Sequence, residues 1–118
     1  MGLDDLLFTG WLAPRRKPLR ILGPTGTQDL VDALERGYAA GANALGKALE
    51  LPADGGRFQV QEVGDLYKER LGDLTIESKS LPDGPLPTLA WRFSAGAERV
   101  VVSGSGWGAE TLASFAGN

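Results

Sequence analysis

A glycine-rich turn near the end of the sequence has the clearest capacity to bind a ligand. Ser103-Gly-Ser-Gly-Trp-Gly108 follows three valines and precedes a predicted helix. In such a turn, successive backbone N–H groups can surround an anion at the positive end of a helix. The candidate anion-binding residues are Ser103, Gly104, Ser105 and Gly106.

Catalytic and metal-binding side chains are scarce. The chain has no histidine and no cysteine, so it lacks the usual proton acceptor for a serine nucleophile and the imidazole and thiolate ligands of zinc. Five carboxylates have no recognisable spacing for Ca²⁺ or Mg²⁺, and we interpret them as surface charges: Asp65, Glu69, Asp73, Glu77 and Asp83. The sequence therefore predicts no catalytic residue, no metal site and no cofactor, and it identifies no small-molecule ligand.

A second turn, Gly23-Pro-Thr-Gly-Thr27, also connects a predicted strand to a predicted helix. It lacks the Gly-Lys-Ser/Thr sequence with which a phosphate loop contacts nucleotides. Its spacing instead resembles a capping box, in which a threonine hydroxyl accepts from a backbone N–H and Gln28 reaches back. We therefore predict that Thr25 and Thr27 cap the helix.

The elements that would position these turns follow from hydrophobic spacing. Apolar residues recur with helical periodicity in three segments and alternate as in strands in others. Gly37, Gly41 and Gly46 predict a kink or break in the longest helix. Helices are predicted near residues 4–12 (about two turns), 27–49 and 108–116, strands near 19–22, 58–63, 74–80, 88–93 and 99–102, and a hairpin loop at 94–98.

Length and composition predict one soluble domain over residues 1–118. The chain has 118 residues, 42% of them hydrophobic, and a formal net charge of −3. An acidic balance disfavours a phosphate-tracking surface, so nucleic acid is not an expected partner. No apolar run approaches the roughly 20 residues of a membrane span, and no secretory signal is readable. A cytoplasmic location without membrane contact is expected.

The order of four segments resembles the metallo-β-lactamase superfamily, and within it the ribonuclease Z and arylsulfatase-like branch. The resemblance covers nearly the whole chain, as an internal segment of such an enzyme. The segments that carry it are Gly2-Leu-Asp-Asp-Leu-Leu-Phe-Thr-Gly-Trp-Leu12, Pro18-Leu-Arg-Ile-Leu-Gly-Pro-Thr-Gly-Thr27, Thr88-Leu-Ala-Trp-Arg-Phe93 and Val100-Val-Val-Ser-Gly-Ser-Gly106.

The metal ligands that this resemblance implies are absent. Relatives carry a His-x-His-x-Asp-His motif before the segment similar to Gly2–Leu7, and the sequence here begins after it. Leu81 or Pro82 occupies the place of another histidine, and Ser105 that of the bridging aspartate. Dinuclear zinc hydrolysis needs these ligands. The loss of every histidine favours an engineered or reconstructed, metal-free segment without the activity.

The implied fold is α/β: a mixed β-sheet with helices on one face, about half of a four-layer αββα sandwich. A bare apolar sheet face of about a few hundred Å² carries several kcal/mol of driving force toward burial, so we expect a homodimer that pairs these faces. A monomer whose helices cover both sheet faces is the other possibility. The expected self-association residues are Leu74, Ile76, Trp91, Phe93 and Val101.

Three functions from different classes follow. The first is a non-catalytic folding or assembly unit that self-associates. The second is a degenerate metal-dependent hydrolase, acting on phosphodiesters or esters, that uses carboxylates or a partner. The third is a binding module that holds an anion in the turn at residues 103–108.

Overall fold

The computed structural model describes residues 2–13, 15–81, 84–104 and 108–117. They form two compact units, one of residues 1–22 and 26–61 and one of residues 23–25 and 62–118. The α/β class is confirmed, with three α-helices, a parallel strand pair and a four-stranded antiparallel sheet. The single domain expected over residues 1–118 stays a prediction.

The first unit is built around a strand, a helix and a second strand. Its elements are α1 (Leu3–Leu12), β1 (Leu19–Gly23), α2 (Thr27–Ala48), a 3₁₀ turn (Ala53–Gly56) and β2 (Phe58–Glu62). Strands β1 and β2 pair in parallel, and the N–H of Leu19 donates to the carbonyl of Arg57 at 2.9 Å. Parallel strands need a long crossover, and here α2 supplies it.

Helix α1 contributes the best-buried side chain of the first unit. Leu7 is fully buried, and the Phe8 ring lies 4.5 Å from that of Tyr38 on α2, centroid to centroid. The Tyr38 hydroxyl donates to the Asp4 carboxylate at 3.1 Å. This hydrogen bond, followed by the charge of Asp4, raises the pKa of Tyr38 above its ordinary value. An aromatic contact and a hydrogen bond, both made by Tyr38, therefore join α1 to α2.

The Trp11 indole packs between the backbones of Gly46 and Gly56. Its indole N–H donates to the carbonyl of Pro52 at 2.8 Å. A Cβ atom would lie 2.8 Å from Trp11 Cη2 if built on Gly46, and 2.9 Å from Trp11 Cε2 if built on Gly56. Such distances are shorter than carbon–carbon contact allows, so the indole needs glycine on both sides.

The start of α2 corrects the predicted capping box. Gly26, not Thr25 or Thr27, is the N-cap, and no side chain hydrogen-bonds the cap. Gly26 has φ of +97°, a left-handed conformation that favours glycine, whereas a capping side chain needs an extended N-cap residue. The side-chain amide of Gln28 donates forward to Asp32 at 2.8 Å instead of reaching back.

Helix α2 runs without interruption for 22 residues, although its three glycines predicted a kink or break. Only Val31 is buried along it.

A methyl group added at Gly41 would meet nothing within 4 Å. We therefore expect Gly41→Ala to raise the free energy of unfolding by about 0.5–1 kcal/mol, because alanine loses less backbone entropy in a helix. Urea unfolding followed by circular dichroism measures this, and a destabilised variant would contradict the open surroundings of Gly41.

The second unit is an antiparallel meander followed by a helix. Its elements are β3 (Lys68–Leu71), β4 (Leu74–Leu81), β5 (Thr88–Ala95), β6 (Glu98–Ser103) and α3 (Ala109–Gly117), and the strand order is β3-β4-β5-β6. Gly72 and Gly96 have φ of +60° and +58° at the first loop positions of two two-residue hairpins. Glycine provides this conformation without steric cost, and the hairpin predicted at residues 94–98 is confirmed.

The strand register divides the side chains of this sheet between two faces. Ile76 lies opposite Phe93, and Phe93 opposite Val100, so these three share one face. Glu77, Arg92 and Val101 are likewise opposite one another and share the other. The apolar face carries Leu71, Leu74, Ile76, Leu89, Trp91, Phe93, Ala95, Val100 and Val102, together with Glu69, Ser78, Ser80 and Glu98. The polar face carries Lys68, Arg70, Thr75, Glu77, Lys79, Thr88, Arg92, Ser94, Arg99 and Ser103, together with Leu81, Ala90 and Val101.

Candidate functional site

A cavity of about 350 Å³ surrounds the end of β4, where the resemblance places one metal ligand. Leu81 lines it and is buried. The hydroxyl-bearing residues on its wall are Thr25, Ser80 and Thr88, and the rest of the lining is Pro24, Val63, Gly64, Gly84, Pro85, Leu86, Pro87 and Leu89. The described residues of the lining therefore offer hydroxyls and apolar surface, and none of them carries a carboxylate.

These residues do not fit a zinc centre. Leu81 has no donor atom, and threonine or serine hydroxyls do not replace imidazole or a bridging carboxylate. Across residues 2–13, 15–81, 84–104 and 108–117, no three acidic side chains lie close enough to bind one metal ion. Two other predicted positions, Pro82 and Ser105, lie outside the described residues.

The candidate anion-binding turn is described only at its start. Ser103 ends β6 and is half-buried, and Gly104 follows it and is exposed. Ser105 and Gly106 lie outside the described residues. Helix α3 begins at Ala109, so the turn precedes a helix as the sequence predicted, and its capacity to bind an anion stays a prediction.

A cavity of about 770 Å³ lies between α3 and the polar face. At its floor, Arg92 Nε donates to Glu77 Oε2 at 2.9 Å, and the two side chains are only 14% and 20% exposed. Arg92 Nη1 also donates to the carbonyl of Phe115 in the last turn of α3, at 2.8 Å. The guanidinium lies 4.7 Å from the centroid of the Phe115 ring. Arg92 therefore links α3 to the sheet through a hydrogen bond and a cation–π contact.

The environment of Glu77 makes it a structural anion. The Arg92 hydrogen bond lowers the pKa of Glu77 below its ordinary value, and Lys68, 3.5 Å away, lowers it further. A carboxylate held in this way is a poor proton acceptor at neutral pH. The interpretation of Glu77 as a surface charge is therefore corrected, because the register places it opposite Arg92 beneath α3.

Asp65 is also held by specific partners. The backbone N–H of Ser80 donates to one of its oxygens at 2.9 Å, and Lys79 Nζ donates to the other at 3.0 Å. The Ser80 bond is the main reason that the pKa of Asp65 lies below its ordinary value, and Lys79 adds to it. This carboxylate fixes the loop before β3 against β4.

The apolar face is the surface of the second unit that carries exposed hydrophobic side chains in register. Leu74, Trp91 and Phe93 are half-buried in its middle, and Ile76 is buried. The outer strands expose more: Leu71 on β3 is 49% exposed, and Val100 and Val102 on β6 are 60% and 52% exposed. Four of the five residues predicted for self-association share this face.

Val101 is the exception. It lies opposite Arg92, so it belongs to the polar face beneath α3. The sequence analysis missed its neighbours Val100 and Val102, which lie on the apolar face. Counting alternate positions outward from the hairpin loop at Gly96 is the signal that would have found them.

No protein-family model matches this chain, and no curated protein is significantly similar to it. In the part of the chain that the structure describes, no helix is long and apolar enough to cross a bilayer.

Proposed function

We propose that this protein is a non-catalytic, metal-free α/β unit that acts by self-association as a homodimer and thereby covers exposed side chains of its apolar face. The supporting observation is that Leu71, Val100 and Val102, all about half exposed or more, lie on one face at its outer strands. Aligned apolar side chains at a rim are typical of a surface that another chain covers.

The relation to the metallo-β-lactamase fold belongs to the same proposal. A strand–helix–strand unit followed by an antiparallel meander and a helix supports descent from, or construction out of, an internal segment of such a hydrolase, about half of the sandwich. Leu81, one of the two residues that the resemblance places at a ligand position, is buried and apolar, which supports loss of that metal ligand.

A charge on the apolar face should dissociate the dimer. We expect the wild-type protein to have twice the monomer mass of 12.5 kDa and Val102→Lys to approach the monomer mass at the same concentration. Loss of roughly 1 kcal/mol of burial per copy, in two copies, should weaken dimerisation at least tenfold. Light scattering across a dilution series measures both.

Leu86→Lys is the matched control, because Leu86 is 73% exposed but lies in the loop before β5, off the apolar face. It should remain dimeric. A wild-type protein that is monomeric at all concentrations overturns the proposal. Assembly that requires added Zn²⁺ favours the hydrolase alternative instead, and thermal stabilisation by inorganic phosphate favours the anion-binding module.

A further inference from the structure

The hairpin that joins β5 to β6 determines which backbone groups of β6 are free. Its two-residue loop is Gly96-Ala97, and Ala95 lies opposite Glu98. Residues that flank a two-residue loop exchange both backbone hydrogen bonds, and such pairs then alternate with non-bonded pairs along the ladder. Glu98, Val100 and Val102 therefore direct their backbone groups toward β5. Arg99, Val101 and Ser103 direct theirs to the open side of β6.

This open side has few of the features that prevent strand addition. Among the described residues, β6 pairs only with β5. The register from Ala90–Ser103 to Ala95–Glu98 is continuous, so there is no bulge. The strand contains no proline, and its charges, Glu98 and Arg99, stand at one end. Natural edge strands usually carry a bulge, a proline or a central charge to avoid pairing.

We propose that a second copy of this chain adds its own β6 to this edge, antiparallel and about a two-fold axis at Val101. This inference rests on the proposed self-association and specifies its geometry. Val101 pairs with Val101 of the second copy, and Arg99 pairs with Ser103 of the second copy. All three residues present free backbone groups, so each pair exchanges two hydrogen bonds.

The side chains favour this register. It places Val100 of each copy opposite Val102 of the other copy, so two such pairs form on the apolar face. Both valines are more than half exposed in the single chain. The two Arg99 side chains lie at opposite ends of the pairing. A shift of one residue would place valines of one copy across from the polar face of the other, because side chains alternate between faces.

The register displaced by two residues is less favourable. It would set Val100 opposite Val100, bring Glu98 across from Val102, and draw the two Arg99 side chains closer together. A second copy of this chain is the partner that suits this edge. Under two-fold symmetry the valines of the two β6 strands face each other, and the charged ends of the two strands lie far apart. The result is a continuous eight-stranded sheet whose apolar face extends across both copies.

Single cysteines test the register without interference, because the chain contains none. The probes are Val100→Cys and Val102→Cys, oxidised separately and as an equimolar mixture in which one variant carries ¹⁵N. In the proposed register, residues 100 and 102 of different copies are a non-bonded pair with Cα atoms about 4.5 Å apart, within the range of a disulfide. Two residues 100 lie about 8 Å apart, outside that range.

The expected result is a mixed disulfide, identified by mass, that exceeds either homodimeric disulfide several-fold. Efficient crosslinking of Val100→Cys with itself overturns this register. A wild-type dimer by light scattering without any crosslink overturns edge pairing and leaves the proposed function intact, since a face-to-face dimer would behave so. A monomeric wild-type protein overturns both. Ser103→Cys is the control, because residues 103 of the two copies lie about 14 Å apart.

Discussion

Gly55→Ala should destabilise the protein by about 3 kcal/mol, through overpacking and the loss of hydrogen bonds. A Cβ at Gly55 would lie 1.8 Å from the carbonyl oxygen of Arg15 and 3.0 Å from Trp11 Cδ1. Arg15 cannot retreat at low cost, since its Nε donates to the carbonyl of Gly55 at 2.8 Å and its Nη2 to that of Leu7 at 2.7 Å. The obstructing atom is backbone, so no rotamer change relieves the clash.

Urea unfolding of Gly55→Ala beside Gly41→Ala isolates this effect, because the two variants add the same methyl group. Gly41 has open space around it, and that variant should gain stability. Equal stabilities for the two variants would show that Arg15 and the 3₁₀ turn do not lie in contact in solution.

Arg92→Met should cost about 2 kcal/mol at neutral pH. The substitution leaves the Glu77 carboxylate without its main partner and removes a donor from the carbonyl of Phe115. Breaking a buried pair by removing one member is expensive because the remaining charge stays poorly solvated. The expected loss of stability is smaller than for a fully buried ion pair, since both side chains retain some exposure to water.

The stability that Arg92→Met loses should decrease as the pH falls. The folded protein lowers the pKa of Glu77 below its ordinary value of 4.5. The ionised Glu77 carboxylate therefore contributes to the free energy of unfolding above about pH 4.5. This contribution is lost as the pH falls through the lower pKa of the folded state. In Arg92→Met most of this stabilisation is absent, so the difference in stability between the two proteins should decrease as the pH falls below 4.5.

Lys68→Met provides the control, because Lys68 contacts the same carboxylate at 3.5 Å but is 66% exposed. Solvent screening should limit its effect to about 0.5 kcal/mol. A pH-independent loss in Arg92→Met would mean that packing against Phe115, rather than the ion pair, holds Arg92 in place.

Sequence periodicity predicted the three α-helices and five of the six strands, but not β3 (Lys68–Leu71). The alternation around Ile76 and Phe93 predicted strands, and the spacing after Thr27 predicted a long helix; all are present. Periodicity failed at Val101, because three consecutive valines have no alternation from which a face can be read. The face of each valine depends on the register, and the register depends on the turn at Gly96.

Other features depended on contacts between distant residues. The Gln28 pattern suited a capping box, but the left-handed conformation at Gly26 is a backbone property that the pattern does not encode. Glu77 and Arg92 are 15 residues apart, and only strand pairing shows that they are partners. Likewise, Gly55 looks like any loop glycine until Arg15 is placed against it.

The attachment of α3 through Arg92 also bears on how the second unit opens. None of the described residues of α3 is buried, and a hydrogen bond from one arginine side chain links it to the sheet. Cooperative units that open with small surface exposure have the lowest free energies of opening, and their amide protons exchange with solvent first. We therefore expect the amide protons of α3 to exchange before those of the four paired strands.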